Sequence, residues 1–345
     1  MILFFNKKRR IITAIILTVS TFICILSCTV FNSEKKYDAM YALADGEKKF
    51  IKWVDFNISY TVLAQALKYD MDSYGKDKKI DWIDLLAYAA CKNGGNFADK
   101  RNSDIDKLVQ RLNSGEIIED IAKDMKYFDY YHEAYTAVLG GFVGEYWTET
   151  DGENGDKKLE KRYGLKTFLP IAYGYGFSHF DDFGVSRSYG FQRRHEGNDL
   201  MASIGSPVIC VETGIVEEMG WNQYGGWRLG IRSLDGKRYY YYAHLRKDHP
   251  FNNSLSKGQT VNAGEVIGYV GMTGYSATEN VNGMKKPHLH FGMQLIFDES
   301  QKDAQSQIWI NVYNIVKLLQ KNPALVIKNE DTGEYEKKYK VYGIE

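Results

Sequence analysis

Pro207 to Val270 reads PVIC VETGIVEEMG WNQYGGWRLG IRSLDGKRYY YYAHLRKDHP FNNSLSKGQT VNAGEVIGYV, and this stretch decides the fold. Short runs of β-branched and aromatic residues alternate with glycine-rich turns. Pro207-Val208-Ile209-Cys210-Val211, Gly214-Ile215-Val216, Trp227 to Ile231, Tyr239 to Ala243 and Val266 to Val270 each have strand length and composition. Turn signals between them predict an antiparallel β domain. Asn311, with Val312, Ile315, Val316, Leu318 and Leu319 after it, predicts one late helix packed on the sheet.

Towards the N-terminus the period changes. Between Ser33 and Trp147 apolar residues recur at three and four residue spacing, as in Val62, Leu63, Ala66 and Leu67, then Ile83, Leu85, Leu86 and Ala89. Ser59 and Asp81 stand where N-caps belong, Asn93-Gly94-Gly95 closes one helix, and Ser103 opens another that ends near Gly115. The aromatic run Tyr127, Phe128, Tyr130, Tyr131 and Tyr135 reads as core, with a sugar-binding groove as the alternative. For a glycan-cleaving site Glu133, Glu145 and Asp84 are candidate acids that no pattern singles out.

Thr148 to Arg162 is charged and aperiodic, so it reads as a linker. The predicted class is therefore α+β: a membrane-anchored chain with an N-terminal all-α domain and a C-terminal antiparallel β-sheet domain. Its predicted segments are a flank and anchor at 1–32, a helical domain at 33–147, a linker at 148–166, the β domain at 167–322 and a tail at 323–345. Two domains suit the length of 345 residues.

Lys7, Lys8, Arg9 and Arg10 precede Ile11 to Phe31, a charge-free run long enough to span a bilayer and longer than a signal-peptide core. The basic flank is expected to stay cytoplasmic and the remainder to be exported, on an uncleaved anchor or after cleavage. Ser27-Cys28 fits a lipoprotein box poorly, because Ile25 and Leu26 precede it. Cys91 and Cys210 alone remain beyond the segment, so no disulfide framework and no cysteine-ligated metal is expected. With Lys plus Arg and Asp plus Glu at 44 each, no net field draws the chain to nucleic acid.

Chemistry concentrates in the β half. His195 and Asp199 form HxGxD, where glycine permits a sharp turn so that imidazole and carboxylate converge on one cation. His288 and His290 lie two residues apart on a strand, so both rings enter one cavity while Leu289 packs beneath. Nitrogen and carboxylate donors with an open position suit Zn2+, which activates water near neutral pH. His195-Glu196 opens like HExxH, but Asp199 stands where the pattern would need to continue, so that class is excluded.

HEGND, YYYYAHL, GYVGMTGYS and PHLHFG together resemble the lysostaphin-type zinc endopeptidases of peptidoglycan, over about Leu169 to Gln294. The resemblance implies zinc ligands His195, Asp199 and His290, and catalytic histidines His244 and His288 that handle the water proton, the oxyanion and the leaving amine. It also implies a peptidoglycan peptide as substrate. Two departures stand out: the longer segment Ala277 to Lys286, which reshapes a rim loop, and Gly292, where relatives often carry an acid. The rival reading is a non-degrading scaffold or wall-binding module on the same fold. Scaffolds lose ligands, and here every position is intact.

Overall fold

The computed structural model describes residues 41–43, 49–188, 192–302 and 306–343, and the chain divides into two units, Met1–Trp53 and Val54–Glu345. In the first, β1 (Tyr41–Leu43) and β2 (Lys49–Ile51) form an antiparallel pair. The expected membrane anchor at 11–31 lies outside the described residues. Among those residues no helix is long and apolar enough to cross a membrane.

The second unit begins with helices. Ser59 Oγ accepts from Val62 N at the start of α1 (Tyr60–Ser73), and Asp81 Oδ1 accepts from Ile83 N at the start of α2 (Trp82–Asn93). Gly94, at φ 64°, ends α2 in the left-handed conformation that glycine adopts without a Cβ clash. Asn102 caps α3 (Ser103–Asn113): its Oδ1 accepts from Asp104 N at 2.9 Å, leaving Ser103 as the first helical residue. After the short α4 (Ile118–Ala122), α5 (Phe128–Leu139) buries Tyr130, Tyr131 and Tyr135, with the Tyr135 ring edge-on to Phe56 at 5.6 Å. Tyr130, Tyr131 and Tyr135 are core, while Tyr127 and Phe128 are half-buried. Of the candidate acids, Asp84 faces His132 at 3.3 Å and Glu145 faces Lys161 at 2.9 Å.

The expected linker is a hairpin. Strands β3 (Val143–Asp151) and β4 (Lys157–Leu165) pair along all nine residues. Residues 157–162 of β4 are exposed on both faces, so selection for alternating polarity is absent and the segment looks aperiodic. Its turn signal, Asp-Gly followed by Asn-Gly, was there to read.

Beyond the hairpin come β5 (Phe177–His179), β6 (Ser186–Ser188), β7 (Gln192–Arg194), β8 (Asn198–Ala202) and β9 (Pro207–Ile209). Then follow β10 (Gly214–Asn222), β11 (Gly226–Ser233), β12 (Arg238–Ala243), β13 (Thr260–Val261), β14 (Val266–Tyr269), β15 (Leu289–Leu295) and β16 (Ile308–Ile310). Eight of these build an antiparallel sheet ordered β13-β10-β11-β12-β15-β8-β5, with β16 also on β15. Leu229, Ile231, Tyr240, Tyr242, Leu289 and Phe291 alternate onto its buried face, each worth about 1.5–3 kcal/mol of apolar burial. The opposite face carries His290.

The late helix α6 (Tyr313–Leu319) packs against α1 and touches the sheet edge, with Tyr313 4.6 Å from the His179 ring. The expected tail is also structured. In it β17 (Val326–Lys328) pairs with β18 (Tyr335–Lys337), and β19 (Val341–Gly343) joins β3, two pairings invisible to local pattern because their partners are distant or exposed.

Helices and sheet belong to one unit rather than two domains. The fully buried Arg238 of β12 donates to the carbonyls of Thr136 and Ala137 in α5 and to Glu212. Tyr163 of β4 donates to Asp70 of α1 at 2.6 Å. Such buried polar links require both partners in place, which fixes the seam.

Candidate functional site

Register sets the site. His290 of β15 lies between Ala243 of β12 and Asp199 of β8 as a cross-strand partner of each. His195, just after β7, completes the group: His195 Nε2 is 2.9 Å from His290 Nδ1 and 3.1 Å from Asp199 Oδ1, and His290 Nδ1 is 3.2 Å from the same oxygen. All three donor atoms lie within 4.8 Å of one another.

Gly197 has a different role from the sharp turn that HxGxD implies. It does not adopt a positive φ. A Cβ there would sit 2.7 Å from Cε1 and Nε2 of His290, so the glycine makes room for the ligand ring. Gly292 is similar, because a Cβ would lie 2.9 Å from the Trp309 ring and 2.8 Å from Glu196 O, leaving no space for a larger side chain.

Two further imidazoles face the group. His244 follows β12 at φ 61°, an uncommon conformation for a non-glycine residue, held by His244 N donating to Gly225 O and by Nδ1 against Thr273 O at 2.8 Å. His288 Nδ1 contacts Lys286 O at 2.9 Å, its Nε2 lies 3.8 Å from Asp199 Oδ1, and the His244 and His288 rings are 4.8 Å apart. A carbonyl accepts, so Nδ1 carries the hydrogen in each ring and Nε2 presents its lone pair. His288 Nε2 is buried without a hydrogen-bond partner.

These observations fit a bound cation. The Nδ1 hydrogen of His195 goes to Asp182 O at 2.9 Å, so its Nε2 lone pair faces the ring nitrogen of His290 and a carboxylate oxygen. A shared Zn2+ would satisfy all three acceptors, with the donor set typical of such centres and a carbonyl behind the His195 ring to orient it.

Electrostatics agree. Burial drives the Asp199 carboxyl upward, yet its close contacts with His195 and His290 and the nearby His288 ring hold it far below the usual range. Burial, reinforced by the His288 and His290 charges, pushes His244 well below the ordinary imidazole value, and burial likewise lowers His290. Burial thus disfavours the charged form of both rings.

Asp182 and Arg187 are site residues that sequence reasoning missed. Arg187 Nη2 donates to Asp199 Oδ2 at 2.9 Å and to Asp182 Oδ2 at 2.7 Å, leaving Asp199 Oδ1 towards the imidazoles. Asp182 Oδ1 accepts from Asp199 N and from the Asn198 side chain. Asp199 lies 12 residues from Arg187 and 17 from Asp182, so no local spacing ties either to the candidate ligand. His179 stays outside the group: burial lowers it to about 4, and both ring nitrogens lack partners beside Tyr313.

Residues 193–304 match the profile of Peptidase family M23. Over 140 residues the chain is 40% identical to the L-Ala--D-Glu endopeptidase of Bacillus subtilis, covering 39% of this chain and 41% of that one. Over 98 residues it is 38% identical to lysostaphin of Staphylococcus staphylolyticus, covering 28% and 18%. The matched segment thus spans less than half of either relative. A solved structure from Ruminococcus gnavus, described as a glycyl-glycine endopeptidase, superposes with a TM-score of 0.50 at 24% identity, over 77% of this chain and 90% of that one. At that identity the likeness is one of fold.

Proposed function

We propose, from the premise that residues 193–304 are a domain of peptidase family M23, that this protein is a zinc endopeptidase cutting peptide bonds in the stems or cross-bridges of peptidoglycan. One observation carries the reading: three donor atoms within 4.8 Å of one another, bordered by a buried imidazole Nε2 with no partner.

His195, Asp199 and His290 would hold the zinc, which supplies Lewis acidity that makes water nucleophilic at neutral pH. The chain supplies the rest. Carbonyl bonds at Nδ1 fix His244 and His288 in one tautomer, so each offers Nε2 to the substrate. The pair takes the proton from the attacking water, steadies the oxyanion that develops on the carbonyl, and returns a proton to the leaving amine. Arg187 neutralises the carboxylate oxygen that faces away from the imidazoles.

The basic cluster at Lys7 to Arg10 and the apolar run after it support export, with the catalytic unit on the outer side of the membrane. The test is to load the full chain with zinc and incubate it with purified sacculi, reading released peptides by mass spectrometry. One bound zinc and peptide release are expected, and His195→Ala should lose both. Intact sacculi in the presence of fully zinc-loaded protein would refute the proposal.

A further inference from the structure

The sheet face that carries His290 continues beyond the ligands as a cavity of about 430 Å3. Alternation places Gln294 of β15, Tyr239 and Tyr241 of β12 and Arg228 of β11 on that face, and Trp309 of β16 walls one side. The Tyr241 ring stands 5.8 Å from His290 and 6.2 Å from Trp309, so the cavity begins at the ligand itself.

Its lining is cationic, with Arg193, Arg194, Arg228 and Lys302 against Glu196 and Glu218. Two of the cations are already engaged: Lys302 pairs with Glu217, and Arg194 lies over the Phe183 ring at 5.0 Å. Arg228 and Arg193 differ. The Nε of each is buried with no hydrogen-bond partner among the described residues. Arg228 meets Glu218 only at 3.6 Å, beyond hydrogen-bond length. Arg193 gives one Nη to the Tyr275 hydroxyl and keeps its plane near the Tyr224 and Tyr275 rings. Folded proteins seldom leave a buried guanidinium N–H without an acceptor, and the fork geometry of arginine matches a carboxylate.

We infer that Arg228 and Arg193 bind a free carboxylate of the substrate peptide beside the bond to be cut, so that the groove selects an acidic stem peptide over an uncharged glycine bridge. The inference rests on the proposed peptidase function and deepens it. A neutral oligoglycine offers these guanidiniums no anion, whereas a carboxylate within a residue or two of the scissile bond supplies one. Tyr239, Tyr241 and Trp309 pack around the carbon chain that bears it.

The experiment compares three probes with the zinc-loaded full chain: L-alanyl-γ-D-glutamyl-L-lysine, the same peptide with its free glutamyl carboxyl amidated, and pentaglycine. Wild type is expected to favour the acid over the amide by about tenfold to a hundredfold in kcat/KM, the usual scale for one charge-assisted contact. Arg228→Gln should bring that ratio near one by lowering the rate on the acid far more than the rate on the amide, with Arg228→Lys restoring part of the preference. Calorimetry of acid and amide on the zinc-free protein reads the same discrimination as binding, so loss of catalysis does not hide it. Equal kcat/KM and equal Kd for acid and amide in wild type would overturn the carboxylate site, as would a parallel fall for both probes in Arg228→Gln. Cleavage of pentaglycine alone would overturn the selectivity and leave the peptidase reading standing. Discrimination in binding without cleavage of any probe would count against the peptidase reading alone.

Discussion

Gly197→Ala tests the metal centre at its tightest point. The added methyl would stand 2.7 Å from two atoms of the His290 ring and 2.7 Å from Phe291 O, about 0.7 Å inside the 3.4 Å edge of ordinary contact. Neither neighbour is free to yield. Phe291 is a strand residue paired with Asn198 and Tyr242, and the His290 ring is tied through Nδ1 to His195 and Asp199. Metal sites tolerate ligand displacements of only about 0.2 Å. A shift of a few tenths of an ångström in His290 is therefore expected to weaken zinc binding by about 100-fold, comparable to losing a group that orients a ligand. Overpacking costs about 1–3 kcal/mol, which in a unit of this size lowers Tm by roughly 2–5 °C and leaves the protein folded at 25 °C. Zinc affinity would be measured by competition with a chromophoric chelator, alongside thermal melting. A variant that keeps the wild-type zinc Kd would refute the idea that glycine is present to clear space for the ligand.

Two other expectations concern stability. Arg238→Met strands the buried Glu212 carboxylate with Tyr240 as its remaining side-chain donor and removes the link to the Thr136 and Ala137 carbonyls, so chemical denaturation should show a loss of about 3–5 kcal/mol; adding Glu212→Leu should recover part of it. Lys337 donates to Ala263 O at 2.8 Å over the Phe168 ring, and burial pushes its ammonium down to about 7. Between that value and the ordinary lysine value of 10.5 the unfolded chain holds the extra proton, so this residue makes stability rise with pH across the window. Lys337→Met should therefore stabilise most at pH 7 and below, with the gain fading towards pH 10, and equal gains at both ends in denaturant titrations would refute it.

The candidate site residues were legible because their information is local. HxGxD, the histidine pair at 288 and 290, the glycine-punctuated strands and the caps at Ser59 and Asp81 each express a short-range constraint, whether side-chain alternation, a cap or a steric gap. The sequence determined by itself a period-two half that carries the candidate ligands and a helical half before it. Tertiary structure alone decided what those elements meet. The hairpin from Val143 to Leu165 and the strands after Pro323 are solvated or paired with remote segments, so no hydrophobic period marks them. Arg187 reaches Asp199, and Arg238 reaches α5, only because distant stretches come together. The same holds for Arg193 and Arg228, whose significance lies in a shared cavity. A pattern in the chain reports what a residue requires of its neighbours in sequence; charge neutralisation and groove chemistry depend on neighbours in space, which only the folded register supplies.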